Sequence, residues 1–187
     1  MNSFYSYDEL LELGLSNIGK NVRISRKSSI YSNDIIIGDN VRIDDFCILS
    51  GKIRIGNFVH IAAYSALYGG KKGILINDFA NISSRVTVYS VNDDYSGCTM
   101  TNPMVPDKFK NVEEKMVTIG RHVIIGSTSV VLPGVTLAEG SAFGSFSFIK
   151  DSTEPWSLNF GIPCKKYRNR SSELLQLEIE LKKYINK

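Results

Sequence analysis

Cysteine and histidine are scarce in this 187-residue chain, with three of the first and two of the second. Cys47, Cys98 and Cys164 stand far apart and form no CxxC pair, so neither a disulfide framework nor a zinc-binding spacing is present. An excess of one charge is also missing. The net charge is +3, which gives no global field for nucleic acid. No apolar run approaches the roughly 20 residues that a membrane-spanning helix needs. The N-terminus, "MNSFYSYDELLELG", carries acidic residues where a secretory leader needs basic and then apolar ones. These absences describe a cytosolic protein with free thiols, and the length suits one domain.

What is present is a period of six. Aliphatic or aromatic residues fall at Ile18, Ile24 and Ile30, then at Ile37, Ile43, Leu49, Ile55, Ile61 and Leu67. After "YGGKKGIL" the count resumes at Ile76, Ile82 and Val88, and after a longer interruption at Ile119, Ile125, Val131, Leu137, Phe143 and Ile149. At positions 18, 37, 55 and 125 glycine follows directly. A helix repeats its apolar residues every three or four positions and a one-faced strand every two, so six fits neither. It fits a short strand plus a corner. Three such sides close a triangular coil of eighteen residues, and the eighteen sites make about six coils stacked through their backbones.

The ends and the interruption read differently. Residues 1–16 are expected to cap the first coil, with a short amphipathic helix over 5–13. Residues 171–187 are expected to form a second helix, with Ser172 as N-cap and a stripe of Leu174, Leu177, Leu181 and Tyr184 or Ile185 for packing. The coil spans 17–170. Between 89 and 117 the count vanishes in "YSVNDDYSGCTMTNPMVPDKFKNVEEKM". A segment this long is uncommon unless functional or disordered, and solenoid insertions gather on the binding face. It is read as a substrate-lining loop.

The stretches "IGDNVRIDDFCILS", "IGNFVHIAAYSALYGG" and "IGRHVIIGSTSVVLPGVTLAEGSAFGSFSFI", closing with "PWSLNFGIPCKKYRNRS", resemble the hexapeptide-repeat acyltransferases over roughly residues 17–170. The resemblance implies an all-β, left-handed parallel β-helix with a protruding loop and short terminal helices. It also implies a homotrimer with active sites between subunits. The reaction it implies is transfer of an acetyl group from acetyl-CoA to a sugar amine or hydroxyl, with no metal. The chain is most like the short bacterial enzymes that acetylate nucleotide-linked 4-amino-4,6-dideoxy sugars for surface polysaccharides. Galactoside- or maltose-type O-acetylation is the alternative.

Such chemistry needs a base, an oxyanion donor and a slot for the thioester arm. His60, one residue before Ile61, is placed at an outward corner and is the first candidate for the base, because imidazole titrates near neutrality. His122 is read as a solvated surface residue and the second candidate. Many O-acetyltransferases of the family keep a histidine where the chain leaves the coil. Here that place reads "YSVNDDYSG". An amine that loses its proton near neutrality needs orientation more than a strong base, and the pair Asp93 and Asp94 suits an ammonium. Tyr95, Arg85 and Tyr68 join them as candidate acceptor contacts. For coenzyme A the small residues of the last coils, Ser127, Ser129, Ser145 and Ser147, are candidates for the pantetheine arm. Lys150, Lys165, Lys166 and Arg168 are candidates for the adenosine phosphates, by resemblance to the family's "GxPAK" ending, although Cys164 stands where alanine is usual.

Two other classes fare worse. A γ-type carbonic anhydrase needs three zinc-bound histidines, and this chain has two. A non-catalytic β-helix would present a flat array of identical outward residues, which the irregular outward positions and the loop do not supply.

Overall fold

Sixteen of the eighteen periodic residues are buried, and Ile18 and Ile30, in the first coil, are half-buried. In the computed structural model, which describes residues 3–185, these side chains form one aliphatic ladder down the axis of a parallel β-helix. The outermost residues of the two expected terminal segments, 1–2 and 186–187, lie outside the described residues.

Three parallel sheets make the faces. The first contains Asn17–Ile18, Ile35–Ile37, Ile53–Ile55, Ile74–Ile76, Val117–Ile119 and Thr136–Leu137. The second runs through Arg23–Ile24, Arg42–Ile43, His60–Ile61, Asn81–Ile82, Ile124–Ile125 and Ala142–Phe143, then gains Ser157–Phe160 and the antiparallel edge strand Lys165–Asn169. The third holds Ser29–Ile30, Ile48–Ser50, Ala66–Tyr68, Thr87–Tyr89, Val130–Val131 and Phe148–Ile149. Each strand bonds the same strand of the next coil, in the register Ile37↔Ile55↔Ile76↔Ile119↔Leu137 on the first face.

Corners explain the composition between the aliphatics. At the first corner of every coil, and at the second corner from the second coil on, the residue three past the core aliphatic is left-handed, with φ between 51° and 68°. At the first corner, between faces one and two, these are Asn21, Asn40, Phe58, Phe79, His122 and Gly140. At the second corner they are Phe46, Tyr64, Arg85, Thr128 and Phe146. Bulky residues rarely accept this conformation. Here stacking between coils holds them: Phe58 on Phe79 and Phe79 on His122, both at 4.9 Å between centroids, and Phe46 on Tyr64 at 4.9 Å. The glycines that follow the aliphatics answer a different need. At Gly38 a Cβ would lie 2.7 Å from Asn57 Oδ1, the atom that accepts the Asp39 amide at 2.8 Å. Each coil thus caps the corner of the coil before it.

Helix α1 (Tyr7–Glu12) is shorter than the expected 5–13 and starts in a capping box, with the Glu9 carboxylate accepting from Ser6 N–H at 2.7 Å. It buries Leu10 against the first coil. Helix α2 (Leu174–Ile185) departs from expectation in two ways. The serine hydroxyl accepting at its entrance is that of Ser171, from Glu173 N–H at 3.2 Å, rather than that of Ser172. Its buried residue is Glu178, while Leu177 stays 64 % exposed and Leu181 36 %. The excursion leaves the stack after Tyr89, forms a small antiparallel pair of Val91–Asn92 with Glu113–Glu114, and returns at Val117.

Candidate active site

Where the excursion folds over the third face it encloses a cavity of about 1080 Å³. Tyr68 and Tyr89, outward residues of adjacent coils, stack at 5.2 Å and 13° to form one wall. Val130, Leu132 and Phe148 continue it, and Asn92, Asp93, Tyr95, Asn102, Pro103, Lys110 and Val112 complete it. Burial, and then the neighbouring Tyr68 and Tyr95 hydroxyls, raise the Tyr89 phenol above its ordinary value. The site is an apolar, aromatic cleft with a few polar groups, the usual build of a small-molecule pocket.

The predicted acceptor contacts divide here. Asp93, Tyr95 and Tyr68 line the cavity. Asp94 lies one residue on and turns into the loop, where its carboxylate accepts from Ser96 N–H at 2.8 Å and Thr99 Oγ1 at 2.7 Å. The Ser96 bonds, and then those of Thr99, lower its carboxyl below the usual range, so it is an anion that braces the loop. Arg85 is not among the lining residues. It sits exposed at the second corner with its guanidinium 5.5 Å from the Tyr64 ring centroid.

His60 is corrected in position. It occupies the second face, not a corner, and the cavity is built on the third. Its Nε2 lies 2.8 Å from Asp44 Oδ2 and its Nδ1 3.1 Å from Asn81 Oδ1, so both ring nitrogens are engaged. Burial pushes the Asp44 carboxyl up, but hydrogen bonds from His60 and Arg42 outweigh it and hold it below its usual value. A base must have one nitrogen within reach of the acceptor proton. This ring spends both on its own sheet.

His122 is corrected in burial. It is 9 % exposed, stacked on Phe79 and covered by α2, with Nε2 2.7 Å from Glu178 Oε2. Arg121 pairs with the same carboxylate, and Lys182 Nζ lies 2.5 Å from its other oxygen. Burial pushes the Glu178 carboxyl up, yet the bonds from Lys182, His122 and Arg121 prevail and hold it at about 2. Arg170 closes the group, donating to the His122 and Gly140 carbonyls, both at 2.9 Å. This cluster fastens α2 to the first corner. Sequence reasoning missed Glu178, although the spacing rule of the corners would have aligned His122 with Phe58 and Phe79.

The predicted cofactor residues also separate. Ser129 and Ser147 are sealed inside, 0 % and 1 % exposed, and their hydroxyls donate to corner carbonyls, Ser129 to Gly126 at 2.8 Å and Ser147 to Gly144 at 2.6 Å. Their side chains serve the corners and point inward rather than to a ligand. Ser127 and Ser145 stand outward at the second corner, and Ser127 Oγ is 3.3 Å from Ser84 Oγ of the coil before. That edge carries small side chains on successive coils. Near the end of the stack Lys165 and Lys166 border a hollow of about 150 Å³ with Cys164. Lys166 is paired with Glu154 at 2.6 Å, Lys150 lies 3.2 Å from Asp151, and Arg168 is exposed on the edge strand. Among the described residues no cluster of His, Cys, Asp or Glu forms a metal-holding group, and no helix is long and apolar enough to cross a membrane.

No family model matches the chain. Individual relatives do. The dTDP-4-amino-4,6-dideoxy-D-glucose acyltransferase of Escherichia coli is 50 % identical over 174 residues, 91 % of this chain and 90 % of that one. A putative lipopolysaccharide biosynthesis O-acetyl transferase, WbbJ of Escherichia coli strain K12, is 26 % identical over 168 residues, 82 % of each chain. Among solved structures, the N-acyltransferase AntD of Bacillus cereus, in complex with dTDP and 3-hydroxybutyryl-CoA, superposes with a TM-score of 0.98 at 50 % identity over all of both chains. A variant of the same protein holds dTDP-4-amino-4,6-dideoxyglucose and coenzyme A, and superposes at 0.96 over 98 % of this chain and 99 % of that one. With its left-handed β-helix and its likeness to these proteins over nearly its whole length, the chain belongs to the dTDP-4-amino-4,6-dideoxyglucose acyltransferase family.

Proposed function

We propose that this protein transfers an acyl group from acyl-CoA to the 4-amino group of dTDP-4-amino-4,6-dideoxyglucose. One observation carries the reading: a loop carboxylate, Asp93, faces a tyrosine-walled cavity in a chain half identical to an enzyme named for that acceptor. The amine attacks the thioester carbonyl directly, forming C–N and breaking C–S, while nitrogen loses a proton and coenzyme A departs as its thiol. Asp93 orients the ammonium before that proton is lost, and Asp94 fixes the loop that carries it. His60 carries no proton in this scheme, because both of its nitrogens are committed to Asp44 and Asn81. The pantetheine arm runs along the second corner past Ser127 and Ser145, toward Lys150, Lys165, Lys166 and Arg168.

Acetyl is the group we assign, with 3-hydroxybutyryl as its rival, since AntD holds that donor. A homotrimer with sites between copies is supported by the apolar residues that α2 leaves open. A place in surface-polysaccharide synthesis in the cytoplasm is supported by the naming of the second relative and by three unpaired thiols.

The test is a thiol-release assay with acetyl-CoA and 3-hydroxybutyryl-CoA against dTDP-linked amino and hydroxy sugars. Product is expected with the amine alone. Asp93→Asn should raise the acceptor KM by about tenfold or more, the loss of one charge-assisted contact, and His60→Ala should keep kcat within about threefold. Turnover of hydroxy sugars in preference to the amine would overturn the reading. A kcat loss of about a hundredfold in His60→Ala would restore the histidine as base.

A further inference from the structure

Among the described residues, Lys110 is the one cation lining the large cavity. It follows a short 3-10 turn, Asp107–Phe109, and its backbone is held there by a bond from Lys110 N–H to the Asp107 carbonyl at 3.0 Å. The side chain is 10 % exposed, which is unusual for a lysine on an excursion loop. Its ammonium lies 3.0 Å from Asp107 Oδ1, and Asp107 itself is fully exposed. The lysine stem is therefore fixed by burial while its charge is balanced by a carboxylate in water. Water around the exposed carboxylate screens its half of the pair, so a stronger anion exchanges with it at small cost.

The cavity supplies the rest of a recognition pattern. The Tyr68 and Tyr89 rings stack on each other, so the pair offers a base its outer face and an apolar edge to pack against. Asp93, the acidic group on the lining, suits an amine, and a second anion brought near it would need its own counter-charge. Phosphate is the anion that fits a single ammonium acting as a point charge.

We propose that Lys110 anchors the diphosphate of the nucleotide-linked acceptor, exchanging Asp107 for phosphate oxygen when the acceptor binds. The assignment rests on the acceptor proposed above and adds the residue that selects its phosphates. Lysine is thereby the specificity element that separates a nucleotide-linked sugar from a free amino sugar.

The experiment is titration calorimetry of the full-length protein with dTDP and with thymidine, on wild type, Lys110→Met, Lys110→Arg and Asp107→Asn. Wild type is expected to bind dTDP much more tightly than thymidine. Lys110→Met should weaken dTDP by roughly ten- to a hundredfold and leave thymidine within twofold. Lys110→Arg should recover most of the loss, and Asp107→Asn should bind dTDP as tightly as wild type or better. Equal weakening of dTDP and thymidine in Lys110→Met would show a loop support instead, and would overturn the proposal. So would a dTDP affinity unchanged in that variant. Wild type that binds no dTDP and acylates no amine would instead overturn the functional reading, so the two failures are separable.

Discussion

The first and second corners impose the same backbone demand and meet opposite fates. Both turn through a left-handed residue three past the core aliphatic, and both stack aromatic rings from coil to coil. At the first corner the column Phe58, Phe79 and His122 is covered by α2 at its His122 end, pinned through Glu178, and ends at Gly140 beneath Trp156. At the second corner Phe46, Tyr64 and Phe146 stay 46–63 % exposed, and the adjacent small side chains Ser84, Ser127 and Ser145 leave backbone within reach. The backbone fixes where the column stands, and the cover decides whether it holds the protein together or is left for a ligand.

The comparison breaks most sharply at Glu178. Glu178→Ala leaves Arg121 and His122 without their common partner beneath a helix, and should cost about 3 kcal/mol, the penalty of breaking a buried ion pair. Chemical denaturation checks the loss, and limited proteolysis near Ser171 checks the release of α2. The same contact predicts a pH window. A carboxyl held at about 2 in the folded state, against 4.5 when free, stabilises above pH 4.5 and loses that contribution as pH falls toward 2. Release of α2 should therefore track acidification in that range, and Glu178→Gln should remove the dependence.

At the open corner the large effect should fall on activity. Ser127→Trp fills the edge beside Ser84 and should reduce kcat/KM for acyl-CoA by about a hundredfold while leaving the melting temperature nearly unchanged. That fold-change equals about 2.7 kcal/mol of lost transition-state binding. Steady-state kinetics beside a thermal melt distinguishes it from misfolding. If stability falls instead, the second corner is structural too and the contrast fails.

A smaller loss is expected at Phe79→Ala, which interrupts the stack between Phe58 and His122. Two aromatic contacts at about 0.5–1.5 kcal/mol each give a destabilisation of about 1–3 kcal/mol, with kcat unchanged. Smallest of all, Thr128→Gly at the open corner relieves a left-handed φ of 63° but loosens the unfolded chain, and the two effects should cancel to within about 0.5 kcal/mol by urea denaturation.

The coil was legible because one spacing controls it. Ile61 and Val131 point inward for the same reason, and any error of register would have put an aliphatic in water. Legibility stopped where contacts cross between segments that share no period. Ser129 and Ser147 look like open small residues until their place two positions before a core aliphatic is counted, which turns them inward. His60 reads as a free imidazole until Asp44 and Asn81 arrive from neighbouring coils. Glu178 and Lys110 lie in segments outside the repeat, so spacing marks their local partners Lys182 and Asp107 but neither the Arg121–His122 pair nor the cavity. Asp93 and Asp94 were singled out because the loop's lack of period was itself the signal, but which of the two lines the cavity depended on Ser96 and Thr99 drawing Asp94 away.

The excursion leaves and rejoins the stack without disturbing it. Ile74 pairs with Val117, Ile82 with Ile125 and Val88 with Val131, the same register the other coils keep. Residues 90–116 therefore hang from a scaffold that does not register their length or sequence. Loop-closure entropy grows only with the logarithm of loop length, so lengthening or rewriting such an insert costs little. Natural selection can then retailor the acceptor end of this protein, Asp93 and Lys110 included, as an exchangeable cassette, while the edge proposed for the donor is inherited intact.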